Sequence, residues 1–423
     1  MLFNDFISKI KFNKLQGKTV DKILFCFIID MLNKKFRRFS HEKITAIIMT
    51  VIMAVCALMP AVSALTPAEE AKLQFNEDGK FKILVLADIQ DDAAILSATV
   101  NFIDAAVASE KPDLIILTGD NIAGHITPNA AKSATAIRKV MNILEPYGIP
   151  VAMVFGNHDD DGGRMSKEDQ MKVYEEYSCF IGFDEGEEIY GVGTYNVPVF
   201  SSTDDNDIVF NCWLFDSGSY DENGGYDRVR PSQIEWYKAK SAELKAANGG
   251  EPVPSLAFQH IIVPEIFEAL DEVKLGTPGA ISKYGKSYAL PETAAEGSFM
   301  GEPPCPSAVN DGQFDALVEG GDVVGMVFGH DHSNSFIVPY KGIDLINSPT
   351  CGFQSYGMTE VRGIRVFTLD ESDPAAYETY IVKYKDLFAD DPIAMLMHDF
   401  LAFISNFIAV FSAVFGSLGG MFG

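Results

Sequence analysis

The stretch Phe81-Lys82-Ile83-Leu84-Val85-Leu86-Ala87-Asp88-Ile89-Gln90 is a short, mostly apolar run that passes directly into polar residues. A run of this length, bounded by polar residues and holding β-branched side chains, reads as a buried strand. The pattern then repeats. Residues 113–117 form a second strand that leads into Gly119-Asp120-Asn121, and residues 149–155 a third that leads into Gly156-Asn157-His158-Asp159. Residues 92–109 and 129–144 have helical periodicity, and the second helix closes at Pro146-Tyr147-Gly148. Strand, helix, strand, helix, strand at this spacing predicts βαβ units with right-handed crossovers, hence an α/β fold with a mainly parallel sheet.

The alternation continues outward. A helix is predicted from Met165 to about Phe180, a strand over 208–216, a helix over 233–246 and a strand over 255–259. Further strands are predicted over 323–328, 337–339, 343–346, 363–368 and 378–383. Residues 184–203 and 275–312 are rich in Gly and polar residues. The second is long enough, without visible structure, to suggest a functional loop or lid.

Two of the later strands also end in polar motifs, Gln259-His260 and Gly329-His330-Asp331-His332. In open α/β sheets ligands bind outside the carboxyl ends of the strands. Five strand ends that each deliver Asp, Asn or His make a pocket of hard oxygen and imidazole donors. That mixture suits Fe, Mn, Zn or Mg rather than a thiolate cluster. Any one of these residues alone reads as a turn residue, a helix cap or a hydrogen-bonded structural histidine. The series carries the argument, since four of the six histidines beyond residue 64 lie at these strand ends.

The order of motifs over residues 80–385 resembles the calcineurin-like metallophosphoesterase superfamily, most specifically in Gly156-Asn157-His158-Asp159 and Gly329-His330-Asp331-His332. Gly119-Asp120-Asn121, Asp216-Ser217-Gly218 and Gly225-Tyr226-Asp227 leading to Pro231-Ser232-Gln233-Ile234-Glu235-Trp236-Tyr237 are similar to a purple acid phosphatase-like branch. The resemblance implies a four-layer αββα sandwich of two mixed sheets flanked by helices. It also implies two divalent or trivalent metal ions, Fe, Mn or Zn, and hydrolysis of a phosphomonoester or phosphodiester by a hydroxide held between them. Metal one would take Asp88, Gln90, Asp120 and His332. Metal two would take Asp120, Asn157, His260 and His330, with Asp120 bridging. His158 would serve the leaving group as acid and contact substrate, and Asp159 would orient it.

Asn121 is a candidate phosphate contact. Arg164 is either another phosphate contact or a solvated loop charge, and His125 either lines the substrate mouth or is a surface histidine. Asp331 reads as structural. Two departures from the family pattern stand out. Gln90 occupies a position where the family has histidine, and its amide oxygen is a weaker donor. No tyrosine follows Gly119-Asp120, which predicts a colourless protein. The alternative function is an exported metal-binding surface protein with weakened turnover or none.

The formal net charge of −26 argues against a nucleic-acid partner, which would call for a basic patch. Residues 1–64 hold ten Lys and Arg against four Asp and Glu, a balance of +6, which leaves −32 on the remainder. Basic residues from Lys34 to Lys43, an uncharged apolar run over 44–58 and Ala61-Val62-Ser63-Ala64 form a signal peptide at 31–64 that implies export, to the medium or the cell surface, with translation starting at Met31. An uncleaved membrane helix is the competing reading. The catalytic domain is then 65–390. Residues 391–423 form an apolar tail that either enters a membrane, lies at its interface or packs on the domain. Cys179, Cys212, Cys305 and Cys351 lack zinc-site spacing.

Overall fold

The computed structural model describes residues 65–391 together with 393, 395–397, 399–401, 403–404 and 406–407. The leader expected at 1–64, its signal peptide and the end of the apolar tail lie outside the described residues.

Three sheets are present. A five-stranded sheet has the order β15 (Tyr377–Lys383), β14 (Gly363–Asp370), β2 (Lys80–Leu86), β3 (Leu114–Thr118), β4 (Val151–Val154). A seven-stranded sheet has the order β1 (Leu73–Gln74), β5 (Tyr195–Phe200), β6 (Ile208–Leu214), β7 (Ser255–Gln259), β11 (Val323–Phe328), β13 (Ile343–Asn347), β12 (Ile337–Tyr340). Both are mixed. β2, β3 and β4 run parallel while β14 is antiparallel to β2; β6, β7, β11 and β13 run parallel while β5 is antiparallel to β6 and β12 to β13. A small antiparallel sheet joins β8 (Asp271–Val273), β9 (Ile281–Lys283) and β10 (Lys286–Ala289).

The period-2 alternation of each strand builds the layers. On β2, Ile83 and Val85 face the other sheet beside Ile116 of β3, and pack with Phe210, Leu256, Phe258 and Val327 across it. Leu84 and Leu86 face the opposite way, onto helices α1 (Ser97–Glu110), α2 (Ala130–Leu144) and α3 (Lys167–Tyr174), in a core with Phe102, Ile137 and Tyr174. On the far face of the seven-stranded sheet, Trp213, Ala257, Met326 and Phe328 pack against α4 (Pro231–Ala247) and α5 (Gln313–Gly320) through Ile234, Tyr237, Phe314 and Leu317. Helix, sheet, sheet and helix layers therefore enclose three apolar interfaces, the sandwich implied by the resemblance.

The structure corrects three local expectations. α1 begins at Ser97 rather than at residue 92, because the buried Asp91 carboxylate accepts from Leu96 N at 3.2 Å and Thr99 Oγ1 at 2.7 Å and holds 92–96 in turns. α3 stops at Tyr174 because the chain turns back to pair with β4, Val151 N to Cys179 O at 2.8 Å and Ile181 N to Val151 O at 2.9 Å. Residues 184–203 contain β5. Residues 275–312 contain β9 and β10 and are docked on the site loops, with Ser335 N donating to Phe299 O at 2.9 Å, so this segment is neither structureless nor a free lid. The four described cysteines are all unpaired.

Candidate metal centre

The carboxyl ends of β2, β3 and β4 from one sheet, and of β7 and β11 from the other, converge at one edge of the sandwich. Asp88 and Gln90 follow β2, Asp120 follows β3, Asn157 and His158 follow β4, His260 follows β7, and His330 and His332 follow β11. Asp88, Gln90, Asp120 and His330 hold left-handed backbone, with φ of 51°, 44°, 50° and 72°. A residue with a Cβ is strained there by about 1 kcal/mol or more, and such strain gathers at functional loops. Glycines permit the close approach. A Cβ on Gly156 would lie 2.2 Å from Asp120 Oδ1, and Gly119, at φ +89°, passes so near His260 that a Cβ would lie 2.7 Å from its ring.

Ligand atoms of Asp88, Asp120 and His332 all lie within 4.8 Å of one another, fully buried. His332 Nε2 is 3.3 Å from Asp88 Oδ1. Gln90 Nε2 donates to Asp120 Oδ2 at 3.1 Å. On the other side, His260 Nε2 lies 3.2 Å from Asp120 Oδ2 and 3.2 Å from Asn157 Oδ1. The His330 ring stands 5.0 Å from the His260 ring, and its backbone N–H donates to the Asp88 carboxylate at 3.1 Å. Asp120 thus belongs to both groups, as a bridging ligand must. His260 Nδ1 donates to Thr118 O at 3.0 Å and His332 Nδ1 to Tyr356 O at 2.9 Å. A carbonyl only accepts, so each proton sits on Nδ1 and each Nε2 lone pair is left for a metal.

The donor set fits a pair of ions. Among the described residues, the buried Gln90 Oε1 and His330 Nε2 have no hydrogen-bond partner. Buried polar atoms are rarely left so, and an ion would satisfy both. The electrostatics carry the same tension. Burial opposes the Asp120 charge, but His260 and His158 hold its carboxyl well below the usual range. Burial opposes a proton on His260, yet facing Asp120 pushes it up to about 9, and Asp88 likewise raises His332 against its burial. Burial, helped by the charge of His260, drives His330 well below its ordinary value. Carboxylates this buried require cations, supplied here by imidazolium or, in its place, by metal.

His158 lies at the rim, about a third exposed, and its Nδ1 meets Asp161 Oδ2 at 2.8 Å. The partner expected for it, Asp159, is elsewhere. The Asp159 carboxylate accepts from Gly156 N at 2.7 Å and Ile122 N at 3.0 Å, so it pins the loop instead, and burial followed by the charge of Asp120 raises it to about 7. Asn121 is also corrected. It is fully buried and its amide donates to Val154 O at 3.0 Å, so it ties β3 to β4. Arg164 is exposed on the loop after His158. His125 is exposed, with its ring 5.0 Å from that of His158. The Asp331 carboxylate accepts from Cys305 N at 3.3 Å, a structural contact.

Some residues escaped the sequence reading. Tyr220 accepts at its hydroxyl from Asn157 Nδ2 at 3.0 Å, and Tyr226 packs edge-on against His330 at 4.3 Å. Tyr226 lies in a segment already marked by its family likeness, but only the fold brings it to the site. Asp216-Ser217-Gly218 supports the centre from behind, since Ile261 N donates to Ser217 Oγ at 3.0 Å beside His260, and Lys167 pairs with buried Asp216 at 2.8 Å.

Residues 81–334 match the calcineurin-like phosphoesterase family. The chain belongs to that family. Two relatives from Arabidopsis thaliana, named probable inactive purple acid phosphatases 14 and 29, are each 30% identical to it; the first match covers 70% of this chain and 76% of the relative, the second 69% and 76%. The Saccharomyces cerevisiae phosphatase DCR2 is 30% identical over 53% of this chain and 42% of its own length. Among solved structures, a dimetal phosphatase from Danio rerio aligns with a TM-score of 0.44 at 14% identity, covering 72% of this chain and 99% of that one. Family membership makes metal-dependent phosphoester hydrolysis the activity to be tested, and the word inactive in two relatives' names makes turnover the question.

Proposed function

We propose that this chain is an exported phosphoesterase that hydrolyses phosphate monoesters or diesters at a two-metal centre. The observation that carries the reading is the shared Asp120, flanked by Asp88 and His332 on one side and by Asn157 and His260 on the other, with Gln90 Oε1 and His330 Nε2 unpartnered beside it. Metal one would be held by Asp88, Gln90, Asp120 and His332, and metal two by Asp120, Asn157, His260 and His330. When bound, the ions would acidify water and neutralise charge on the phosphoryl oxygens. His158, held by Asp161 at the rim, is placed to donate a proton to the leaving oxygen from Nε2, because its Nδ1 is already engaged. His125, with its ring 5.0 Å from that of His158, is placed to meet the rest of a substrate, and Arg164 is exposed on the loop that follows His158.

Elemental analysis, joined to turnover of an aryl phosphate monoester and diester with added Mn²⁺, Fe²⁺ or Zn²⁺, tests this. Two equivalents of metal and turnover with one ester class are expected; no turnover with any ion on either class would reject it. A second reading, a metal-binding surface protein with lost turnover, is favoured by Gln90 in a histidine position and by the names of the two plant relatives. It predicts bound metal without hydrolysis.

A further inference from the structure

The described residues between 393 and 407 are helical. One side of this C-terminal segment is spent on the domain. Met395 and Leu401 pack on the core beneath α1 and α2, and Asn406 exchanges two hydrogen bonds with the Gly357 backbone, each 3.2 Å. The other side carries Ile393, Leu396, Met397, Phe400 and Phe403, at helical spacings of three and four, and these remain exposed, Leu396 at 70% and Phe403 at 66%. Elsewhere among the described residues the exposed large apolar side chains are scattered singly. Five on one helix face form a patch of the kind that marks an interaction surface.

We propose that this face docks on a lipid bilayer, with the helix lying in the interface. Three observations choose that occupant. The stripe is made of Phe, Leu, Ile and Met, without the Tyr, Trp and Arg that dominate protein–protein hot spots. The same spacing continues in the sequence at Phe407, Phe411 and Phe415, and residues 400–423 carry no charged side chain at all. No Lys or Arg follows Lys385, and Asp386, Asp390, Asp391 and Asp399 lie nearby, so the surface complements zwitterionic rather than anionic headgroups. Among the described residues no helix is long and apolar enough to cross a membrane.

The test is flotation of the full-length protein with phosphatidylcholine vesicles, beside the double variant Phe400→Gln/Phe403→Gln and with oligomeric state measured by light scattering. Both side chains are exposed, so the variant keeps the fold and its circular dichroism should match. The expected result is flotation that does not improve with phosphatidylserine and falls at least tenfold in the variant. Equal flotation of variant and parent would overturn the proposal, because the apolar leader would then be the anchor. Absence of flotation, with a dimer that the variant converts to monomer, would overturn it in favour of a second copy.

Discussion

The two halves of the metal centre are built from different kinds of structure. Asn157, His260 and His330 follow closely on β4, β7 and β11, and their support is short-range: Thr118 O on His260, the Ser217 hydroxyl on Ile261, the Tyr220 hydroxyl on Asn157 and glycines that let the loops touch. In the other half Asp88 also follows its strand closely, but Gln90 and His332 lie farther beyond β2 and β11 and lean on longer connections. His332 is oriented by Tyr356 O and stacked on the Tyr356 ring at 4.2 Å, and Glu302 reaches from another segment to Tyr356 Oη at 2.9 Å and Ser333 N at 2.6 Å. A ligand set by a strand end has little freedom, whereas one set by three loops depends on all of them. The weak donor Gln90 falls in the looser half, so affinity, and with it activity, should respond unequally to damage on the two sides.

Asp120 is the point at which that asymmetry should vanish. Asp120→Ala is expected to empty both positions and lower kcat/KM by about 10³-fold, roughly 4 kcal/mol of transition-state stabilisation. Retention of one full equivalent by elemental analysis would show that the halves do not share it. The next largest effect separates the sides. His260→Ala should weaken one ion by about 100-fold and Gln90→Ala the other by less than about tenfold, while Gln90→His should tighten that same ion about tenfold. Titration calorimetry on the metal-free protein reads both, and equal losses from His260→Ala and Gln90→Ala would remove the distinction drawn here.

A third comparison sharpens the roles of two neighbouring carboxylates. Asp161→Asn should reduce kcat by about 10- to 100-fold with metal content and melting temperature unchanged, since it loosens only His158. Asp159→Ala should instead leave the N–H groups of Gly156 and Ile122 buried and unpaired, at about 2–3 kcal/mol of stability, seen as a lowered denaturant midpoint. If Asp159→Ala left stability intact and removed turnover, the orienting role would return to Asp159.

These two residues also show where the sequence stops being legible. The strand ends are legible because a buried strand has a fixed period and its first polar residue marks its exit, so the motifs that hold Asp88, Asp120, Asn157, His260 and His330 are placed by position, while the role of each residue as a ligand comes from the family likeness. The four layers followed from alternation together with the family likeness. Asp161 was not legible. It reaches His158 only because residues 161–163 form a short 3₁₀ turn with Gly162 at φ +74°, and three-residue geometry of that kind leaves no periodic trace. Asn121 is a candidate through the family likeness, but the left-handed backbone at Asp120 turns the chain and sends Asn121 into the strand layer. β9 and β10 were hidden because both are short, polar and joined by Tyr284-Gly285, so their pairing outweighs their composition.

The smallest expected effect lies farthest from the centre. Asn406 grips both the N–H and the C=O of Gly357, and Gly357 directly follows Tyr356, the residue whose carbonyl and ring orient His332. Asn406→Ala releases that grip without touching any donor atom. It should weaken the ion on the Gln90 side by about two- to fivefold, in keeping with a net value of about 1 kcal/mol or less for exposed-edge hydrogen bonds of this length, and leave the ion on the His260 side unchanged. Asn406→Asp would keep the acceptor for Gly357 N and lose the donor, so it should fall between alanine and the parent. An equal loss at both ions would mean that the C-terminal helix steadies the whole domain rather than the His332 loop, and the contrast between the strand-held and loop-held halves would no longer extend beyond the centre itself.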